Sequence, residues 1–167
     1  MSEQLLLDAA SSFFNDFSQT ATPATLLLHF STTQPIAIQH APALSQNGHN
    51  SPLLGPNAVR SYFDLLATHW TRAPVAVNHT EADLVTNTVT ADASITWTWR
   101  RSRRRWREDF ICVLTYDDSL KITSLNLQTV SDPETCLMNA VDMHTTTVEY
   151  SNERVNKSGR WDWSRHV

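Results

Sequence analysis

The sequence predicts an α+β fold: a curved, mostly antiparallel sheet whose concave face is covered by helices. Helical periodicity is confined to the first part of the chain, which also contains one short predicted strand. A run of strands with apolar–polar alternation then follows, so helices and strands are segregated along the sequence. One face of the cleanest strand is apolar and the other rich in threonine, which indicates a sheet with one buried and one wet side.

Length and composition predict one folded domain with a substantial core. The chain has 167 residues, of which 41% are hydrophobic and 18% charged. A disordered chain would be poorer in aliphatic and aromatic residues, so that class is excluded. The formal net charge of −4 argues against a chain that binds polyanions over its whole surface.

Three segments are predicted to be helical. The first carries apolar residues at helical spacing, and Thr22-Pro23 marks the start of a short second helix. The third begins near Asn57. Its apolar face and that of the first helix comprise Leu6, Ala10, Phe13, Phe17, Val59, Tyr62, Phe63, Leu66 and Trp70. These faces need a sheet to cover them.

The predicted strands differ in how clearly they alternate. Residues 35–41 form a short strand, and residues 42–56, rich in proline and small polar residues, form a long loop. Residues 75–85, 88–99 and 106–116 then alternate, as far as the turn at Tyr116-Asp-Asp-Ser119. The last long strand, 120–130, changes phase after Ile122, which predicts a bulge.

We expect a domain at 1–130 and a C-terminal extension at 131–167 that docks on the domain or on a partner subunit. Pro133 to Met143 could form a short helix. The N-terminus lacks the basic region of a signal peptide and no segment is long and apolar enough to span a membrane, so a cytoplasmic protein without membrane contact is expected. Cys112 and Cys136, the two cysteines, are expected to be reduced.

Several segments in this order resemble the NTF2-like superfamily, the cone-shaped fold of SnoaL-like cyclases, scytalone dehydratase and ketosteroid isomerase. They are LLLHFSTTQPIAIQHAPA, GPNAVRSYFDLL, NHTEADLVTNTVTADASITW and WREDFICVLTYDDSLKITSLNLQTV. The resemblance covers roughly residues 3–130. It implies a pocket between helices and sheet and, for many members, cyclisation, isomerisation or dehydration of secondary metabolites. Other members are transport or dimerisation modules.

The distant resemblance to scytalone dehydratase bears on three residues. His79 matches the catalytic histidine of that family's first long strand, and His40 falls where it has a pocket tyrosine. Trp99 occupies the approximate position of the second catalytic histidine, so the dehydratase pattern is incomplete.

The alternation of residues along the predicted strand 75–85 gives a second reason to consider His79. It shares a face with Val75, Val77, Glu81 and Asp83. If that face is the concave one, the ionisable groups are enclosed among apolar residues, and burial moves carboxyl and imidazole pKa values towards neutrality. The alternative is an edge strand, or one in shifted register, whose carboxylates lie in water.

Glu108 lies between Trp106 and Phe110 on an apolar strand face. A glutamate there is either a general acid or base, or part of a structural ion pair with Arg60 or His40. We predict His79 and Glu108 as acid/base groups and Asp83 as a group that orients or polarises one of them. The predicted substrate-binding residues are His40, Tyr62, Trp97 and Trp99, although the aromatic ones could equally be core.

The run from Arg100 to Arg107 holds six arginines in eight residues. It could bind nucleic acid, but it falls at a predicted hairpin tip without a second basic cluster, so a solvated hairpin or salt bridges to an acidic partner surface are favoured. The sequence contains no glycine-rich phosphate loop, Ser-His-Asp order signature or metal-ligand spacing. We therefore expect no cofactor and no metal.

The favoured hypothesis is a cofactor-independent enzyme of secondary metabolism. It binds a small hydrophobic, polycyclic substrate and catalyses isomerisation, cyclisation or dehydration by proton transfer. The expected enzyme class is therefore an isomerase or cyclase, or a lyase of the dehydratase type. The alternative is a non-catalytic NTF2-like module for ligand binding or dimerisation. A homodimer is expected from the superfamily, with the convex, threonine-rich face available for it.

Overall fold

The computed structural model describes residues 2–19, 21–43 and 51–140. The helices are α1 (Glu3–Ser18), α2 (Pro23–Leu27) and α3 (Pro56–His69). The strands are β1 (Ala37–Pro42), β2 (Leu53–Leu54), β3 (Trp70–Arg72), β4 (Ala76–Asp83), β5 (Thr88–Trp99), β6 (Arg105–Tyr116) and β7 (Ile122–Thr129). Two short 3-10 turns follow, at Pro133–Thr135 and Leu137–Asn139.

The seven strands form one curled, mixed sheet. Its order is β2-β1-β7-β6-β5-β3, and β4 pairs with the same edge of β5 as β3 does. All pairs are antiparallel except β1 with β7. The parallel pairing sets His40 beside Leu127, and β1 lies between β2 and β7 in the sheet.

The helices cover the apolar face of this sheet, as the sequence predicts. The helix faces bury the expected aromatic and aliphatic residues, and Phe17 of α1 meets Trp97 of β5 edge to face. Caps fix where the first two helices begin, since the side chains of Ser2 and Thr22 accept hydrogen bonds from the first helical turns. Burial of each large apolar side chain contributes about 1.5–3 kcal/mol, which holds the layers together.

The two long central strands have the predicted buried and wet faces. On β5 the residues from Val89 to Trp97 at odd positions are buried. On β6 the even positions from Glu108 to Tyr116 are buried, Glu108 among them. The predicted bulge of the last strand is confirmed by a shift of the β6–β7 register between Thr115 and Tyr116.

Strand β4 departs from the prediction. Val77 pairs with Ala93 and His79 with Asp92, so Asn78 is an extra residue that forms a bulge. A one-residue bulge reverses which face the following residues occupy. His79, Glu81 and Asp83 therefore lie opposite Asp92, Thr90 and Thr88, on the polar face of β5.

The first residues after β7 contact the sheet. Thr135 accepts a hydrogen bond from the Trp106 indole through its carbonyl, and Leu137 is buried. The predicted helix from residue 133 is instead the pair of 3-10 turns, and residues 141–167 lie outside the described part of the chain. Over the described ranges, no helix combines the length and apolar character that a bilayer crossing requires.

Candidate functional site

Glu108 is the centre of a buried polar cluster on the concave side of the sheet. Its side chain is fully buried, and both carboxylate oxygens accept hydrogen bonds. The oxygen Oε1 accepts from His40 Nε2 at 2.8 Å, Thr129 Oγ1 at 2.5 Å and the Leu137 amide at 3.3 Å. The other oxygen, Oε2, accepts from the Trp97 indole at 2.7 Å.

Four elements bring these groups together. Trp97 is on β5 and Glu108 on β6, two ladder positions away from being directly opposite and on the same face of the sheet. Thr129 ends β7, and His40 reaches Glu108 from β1 on the far side of β7. Sheet curvature thus gathers side chains separated by up to 89 positions in sequence, from His40 to Thr129.

His40 links the sheet to helix α3. Its Nδ1 lies 2.9 Å from the Tyr62 hydroxyl, while its Nε2 faces Glu108. Of the two ion-pair partners that the sequence offered for Glu108, the structure pairs it with His40. Arg60 is exposed and lies 3.6 Å from Asp64 instead.

The cluster stabilises charge on both partners. Burial by itself disfavours the imidazolium, but hydrogen bonds to Cys136 and Glu108 outweigh it and raise the pKa of His40 to about 9. Burial likewise opposes ionisation of Glu108, yet hydrogen bonds and the charge of His40 leave its pKa below the ordinary value. Burial and the charge of Glu108 raise the pKa of Tyr62, which keeps the phenol protonated. The site therefore holds an imidazolium, a carboxylate and a neutral phenol.

Cys136 completes the cluster, and sequence reasoning missed it. Its sulfur, a His40 ring nitrogen and a Glu108 oxygen all lie within 4.8 Å of one another, and all three residues are buried. The sequence offered no signal, because 28 positions separate Cys136 from Glu108 and the segment that carries it is not periodic. Thr129 was missed for the same reason. The expectation of no metal-ligand grouping overlooked these three potential ligands.

The predicted enclosure of His79 and Asp83 is wrong. Both side chains are exposed, on the polar face that the bulge at Asn78 gives them. Asp83 accepts hydrogen bonds from the Val85 amide and the Thr86 hydroxyl, and these bonds lower its pKa. The structure therefore does not bring His79 or Asp83 to Glu108. Their catalytic assignment stays a prediction without support from position.

The predicted substrate-binding residues divide into two groups. His40, Tyr62 and Trp97 belong to the cluster around Glu108. Trp99 is half-buried at the end of β5, where its ring meets those of Trp70 and Trp106. The arginines that follow it are exposed around the turn between β5 and β6, as the hairpin prediction requires.

A separate cavity of about 300 Å³ lies at the turn between β6 and β7, where Tyr116 ends one strand and Ile122 begins the next. Asp16, His29 and Lys121 line it, and its apolar lining includes Ala9 of α1 and Leu28, which follows α2. None of the predicted site residues contributes to it.

Comparison with solved structures defines the fold. The enzyme SalBIII, described as epoxide hydrolase/cyclase-like with a role in pyran ring formation in the polyether salinomycin, is similar at 17% identity and a TM-score of 0.65, covering 78% of this chain and 94% of its own. The chain has the NTF2-like cone fold. The sequence itself matches no protein-family profile and no curated protein.

Two further NTF2-like structures represent different uses of the fold. The pinacolase BvnE from Penicillium brevicompactum is 14% identical, with a TM-score of 0.62 over 75% of this chain and 86% of its own. A computationally designed binder of 17-OHP is 13% identical, with a TM-score of 0.61 over 75% of this chain and 92% of its own. At these identities the likeness establishes the fold alone.

Proposed function

We propose that this protein is an acid/base enzyme that acts on a hydrophobic, polycyclic intermediate of secondary metabolism. The observation that carries the proposal is the buried pair of His40 and Glu108, hydrogen-bonded to each other on the helix-covered side of the sheet. Similarity to a cyclase-like enzyme and a pinacolase supports the same class. Cyclisation, isomerisation and dehydration all need the proton transfers that such a pair can provide.

In this proposal His40 is the acid and Glu108 keeps it charged. An imidazolium donates through both ring nitrogens, to Glu108 and to the Tyr62 oxygen. The Tyr62 O–H is then available to donate to a substrate carbonyl or hydroxyl. Developing negative charge on that oxygen is stabilised by the phenol and by the adjacent imidazolium.

The proposal needs no cofactor, because the proton donor and its charge partner are both side chains of the chain. His79 and Asp83 are not assigned to it. The small hydrophobic substrate would contact the aromatic residues around the cluster, and Trp97 would hold the Glu108 carboxylate in place through its indole.

The test compares two histidines in the same protein. His40→Asn and His79→Asn are assayed by mass spectrometry against a panel of polycyclic epoxides, ketones and tertiary alcohols on which the wild type shows turnover. We expect His40→Asn to lose turnover by ~100-fold or more, the usual contribution of a general acid, and His79→Asn to retain it. Loss in His79→Asn with retention in His40→Asn would contradict the assignment.

A second candidate is a non-catalytic ligand-binding module. The observation that favours it is the complete hydrogen bonding of Glu108, whose oxygens are occupied by four protein donors. Such a carboxylate can serve only to fix the structure. This candidate predicts binding of panel compounds without turnover, and equal binding by wild type and Glu108→Gln provided that the variant folds.

A further inference from the structure

The cavity at the turn between β6 and β7 has no part in the proposed proton transfer. It measures about 300 Å³ and shares no residue with the cluster around Glu108. Ligand pockets begin at about this size. A water molecule takes up roughly 30 Å³ in the liquid, so the volume suits a small ligand of about ten to a dozen non-hydrogen atoms.

Two opposite charges line this cavity, and the protein leaves bonding capacity on both. Asp16 Oδ2 lies 2.8 Å from His29 Nε2, whereas Asp16 Oδ1 accepts no hydrogen bond from the described residues. Of the three N–H groups of the Lys121 ammonium, one donates to the Leu28 carbonyl at 2.8 Å, and the other two have no partner in the part of the chain that the structure describes. The hydroxyl of Ser12, also in the lining, has no hydrogen-bond partner within the described ranges.

A carboxylate and an ammonium in the same small cavity favour a ligand that carries both charges. Asp16 would repel a ligand with a carboxylate alone, and Lys121 would repel one with an amine alone. Asp117 of the same turn does not line the cavity, and its carboxylate accepts from the amides of Ser119 and Lys121. A zwitterion therefore matches the lining best.

The apolar part of the lining contains two leucines in unusual positions. Leu28 is 70% exposed. Leu120 has a φ of 58°, in the left-handed region where a bulky side chain is an outlier and glycine is the usual residue. Strained residues of this kind concentrate at ligand sites, and a glycine here would leave the cavity wall without a side chain. The two leucines offer an apolar surface to a ligand.

We propose that this cavity binds a small apolar α-amino acid in its zwitterionic form. The ammonium of the ligand donates to Asp16 Oδ1, and its carboxylate accepts from the Lys121 ammonium and the Ser12 hydroxyl. Its side chain packs against Leu28 and Leu120. The proposal is independent of the proposed enzyme function, because the two sites have no residue in common.

Titration of the nitrogen-15-labelled protein with L-phenylalanine, followed by NMR, tests the proposal. We expect the amide signals of Lys121 and Ile122 to shift and to saturate below ~10 mM ligand, and that of Trp97 to stay in place. Hydrocinnamate lacks the ammonium and phenethylamine lacks the carboxylate. Both should bind at least ~5-fold more weakly than phenylalanine, since each loses one ion pair that water partly screens.

Two matched pairs of variants locate the binding site. Leu28 and Leu54 are 70% and 69% exposed, and only Leu28 lines the cavity. Leu28→Ala should weaken phenylalanine binding by ~4-fold or more, the effect of about one buried methylene, and Leu54→Ala should bind as the wild type does. Lys121→Met should weaken binding by ~5-fold or more. Arg101→Met removes the same charge from the turn between β5 and β6 and should not.

Three results would overturn the amino-acid site. The first is the absence of saturable shifts up to ~10 mM phenylalanine. The second is equal affinity for phenylalanine and hydrocinnamate, which would remove the role of Asp16. The third is equal affinity of Leu28→Ala and Leu54→Ala, which would place the ligand elsewhere. Turnover of the polycyclic panel is measured separately, so failure of this site and failure of the acid/base function are distinguished.

Discussion

Two parts of this molecule carry a histidine with nearby carboxylates, and they differ in almost every physical respect. The cluster of His40 and Glu108 lies under the helices, with each polar atom bonded to the protein. The β4 face with His79 and Asp83 lies at a sheet edge in water. The same types of side chain thus form a candidate proton-transfer site in one place and a solvated surface in the other. Burial and hydrogen-bond partners change the pKa values of the first group and leave the second in water.

The origin of the contrast is a single residue. Without the bulge at Asn78, strict alternation would place His79 on the same face as Val77, as the sequence suggests. With it, Val77 faces the helix side opposite Ala93, while His79 faces Asp92. Unlike the bulge in β7, the one at Asn78 is followed by mostly polar residues, so no shift of the apolar pattern marks it, and strand parity fails at the point where it was used to choose a catalytic residue.

The largest expected effect is on the free energy of unfolding, which should respond to substitution in the buried cluster and not on the exposed face of β4. Glu108→Gln leaves the buried imidazolium without its charge partner, so we expect a loss of about 3–5 kcal/mol in the free energy of unfolding, typical of breaking a buried pair. Denaturant unfolding followed by tryptophan fluorescence measures it. Asp83→Asn is the matched control and should leave the midpoint almost unchanged. Equal losses in both variants would remove the contrast.

The pH dependence of stability should show the same pair. The pKa of His40 is raised from 6.5 to about 9, so its stabilising contribution is complete below 6.5 and is lost as the pH rises through about 9. The pKa of Glu108 is lowered, so its contribution is present above its unfolded value and is lost on acidification through the folded value. The rise of the His40 pKa from 6.5 to about 9 corresponds to about 3 kcal/mol of stability.

Thermal unfolding across this pH range, compared between wild type and His40→Asn, measures the contribution. The stability difference should be greatest between about 4.5 and 6.5, should fall as the pH rises from 6.5 towards about 9, and should lose its pH-dependent part above that value. A difference that does not vary with pH would mean that His40 carries no extra proton in the folded protein.

A smaller effect concerns the indole that holds the carboxylate. Trp97→Phe removes the hydrogen bond to Glu108 Oε2 and keeps most of the aromatic packing against Phe17. We expect a loss of about 1.5–3 kcal/mol, the range for a hydrogen bond to a charged group. Trp99→Phe is the control, since Trp99 contacts rings outside the cluster. Chemical denaturation of both variants measures the two losses of unfolding free energy. A larger loss in Trp99→Phe than in Trp97→Phe would contradict the role given to the Trp97 indole.

The smallest expected effect is on the exposed strand. His79→Asn removes a side chain in solvent, so the melting temperature should not change within measurement error. Differential scanning calorimetry of His79→Asn beside His40→Asn gives the direct contrast. A marked loss in His79→Asn would show a partner for that side chain.

The fold was predictable because its signals are local and repeated. The alternation of β5 and β6 persists over many residues, and Thr22-Pro23 marks the start of α2. The buried glutamate was also visible, as a charged residue on an apolar strand face. Its partnership with His40 was one of two alternatives that the sequence left open.

The rest of the site depends on tertiary geometry. Thr129 and Cys136 reach Glu108 only because the sheet curls and the chain returns across its end in two 3-10 turns. Neither belongs to a motif, and neither is unusual in composition. Pairings between positions so far apart are specified by packing of the whole domain rather than by any local pattern.

The central claim is that a charged imidazolium is held inside the cone by Glu108. Nitrogen-15 NMR of the His40 ring tests it most directly, with the signals assigned by their absence in His40→Asn. We predict that both ring nitrogens are protonated at neutral pH and that the ring titrates near 9. A neutral ring with one unprotonated nitrogen at neutral pH would contradict the account.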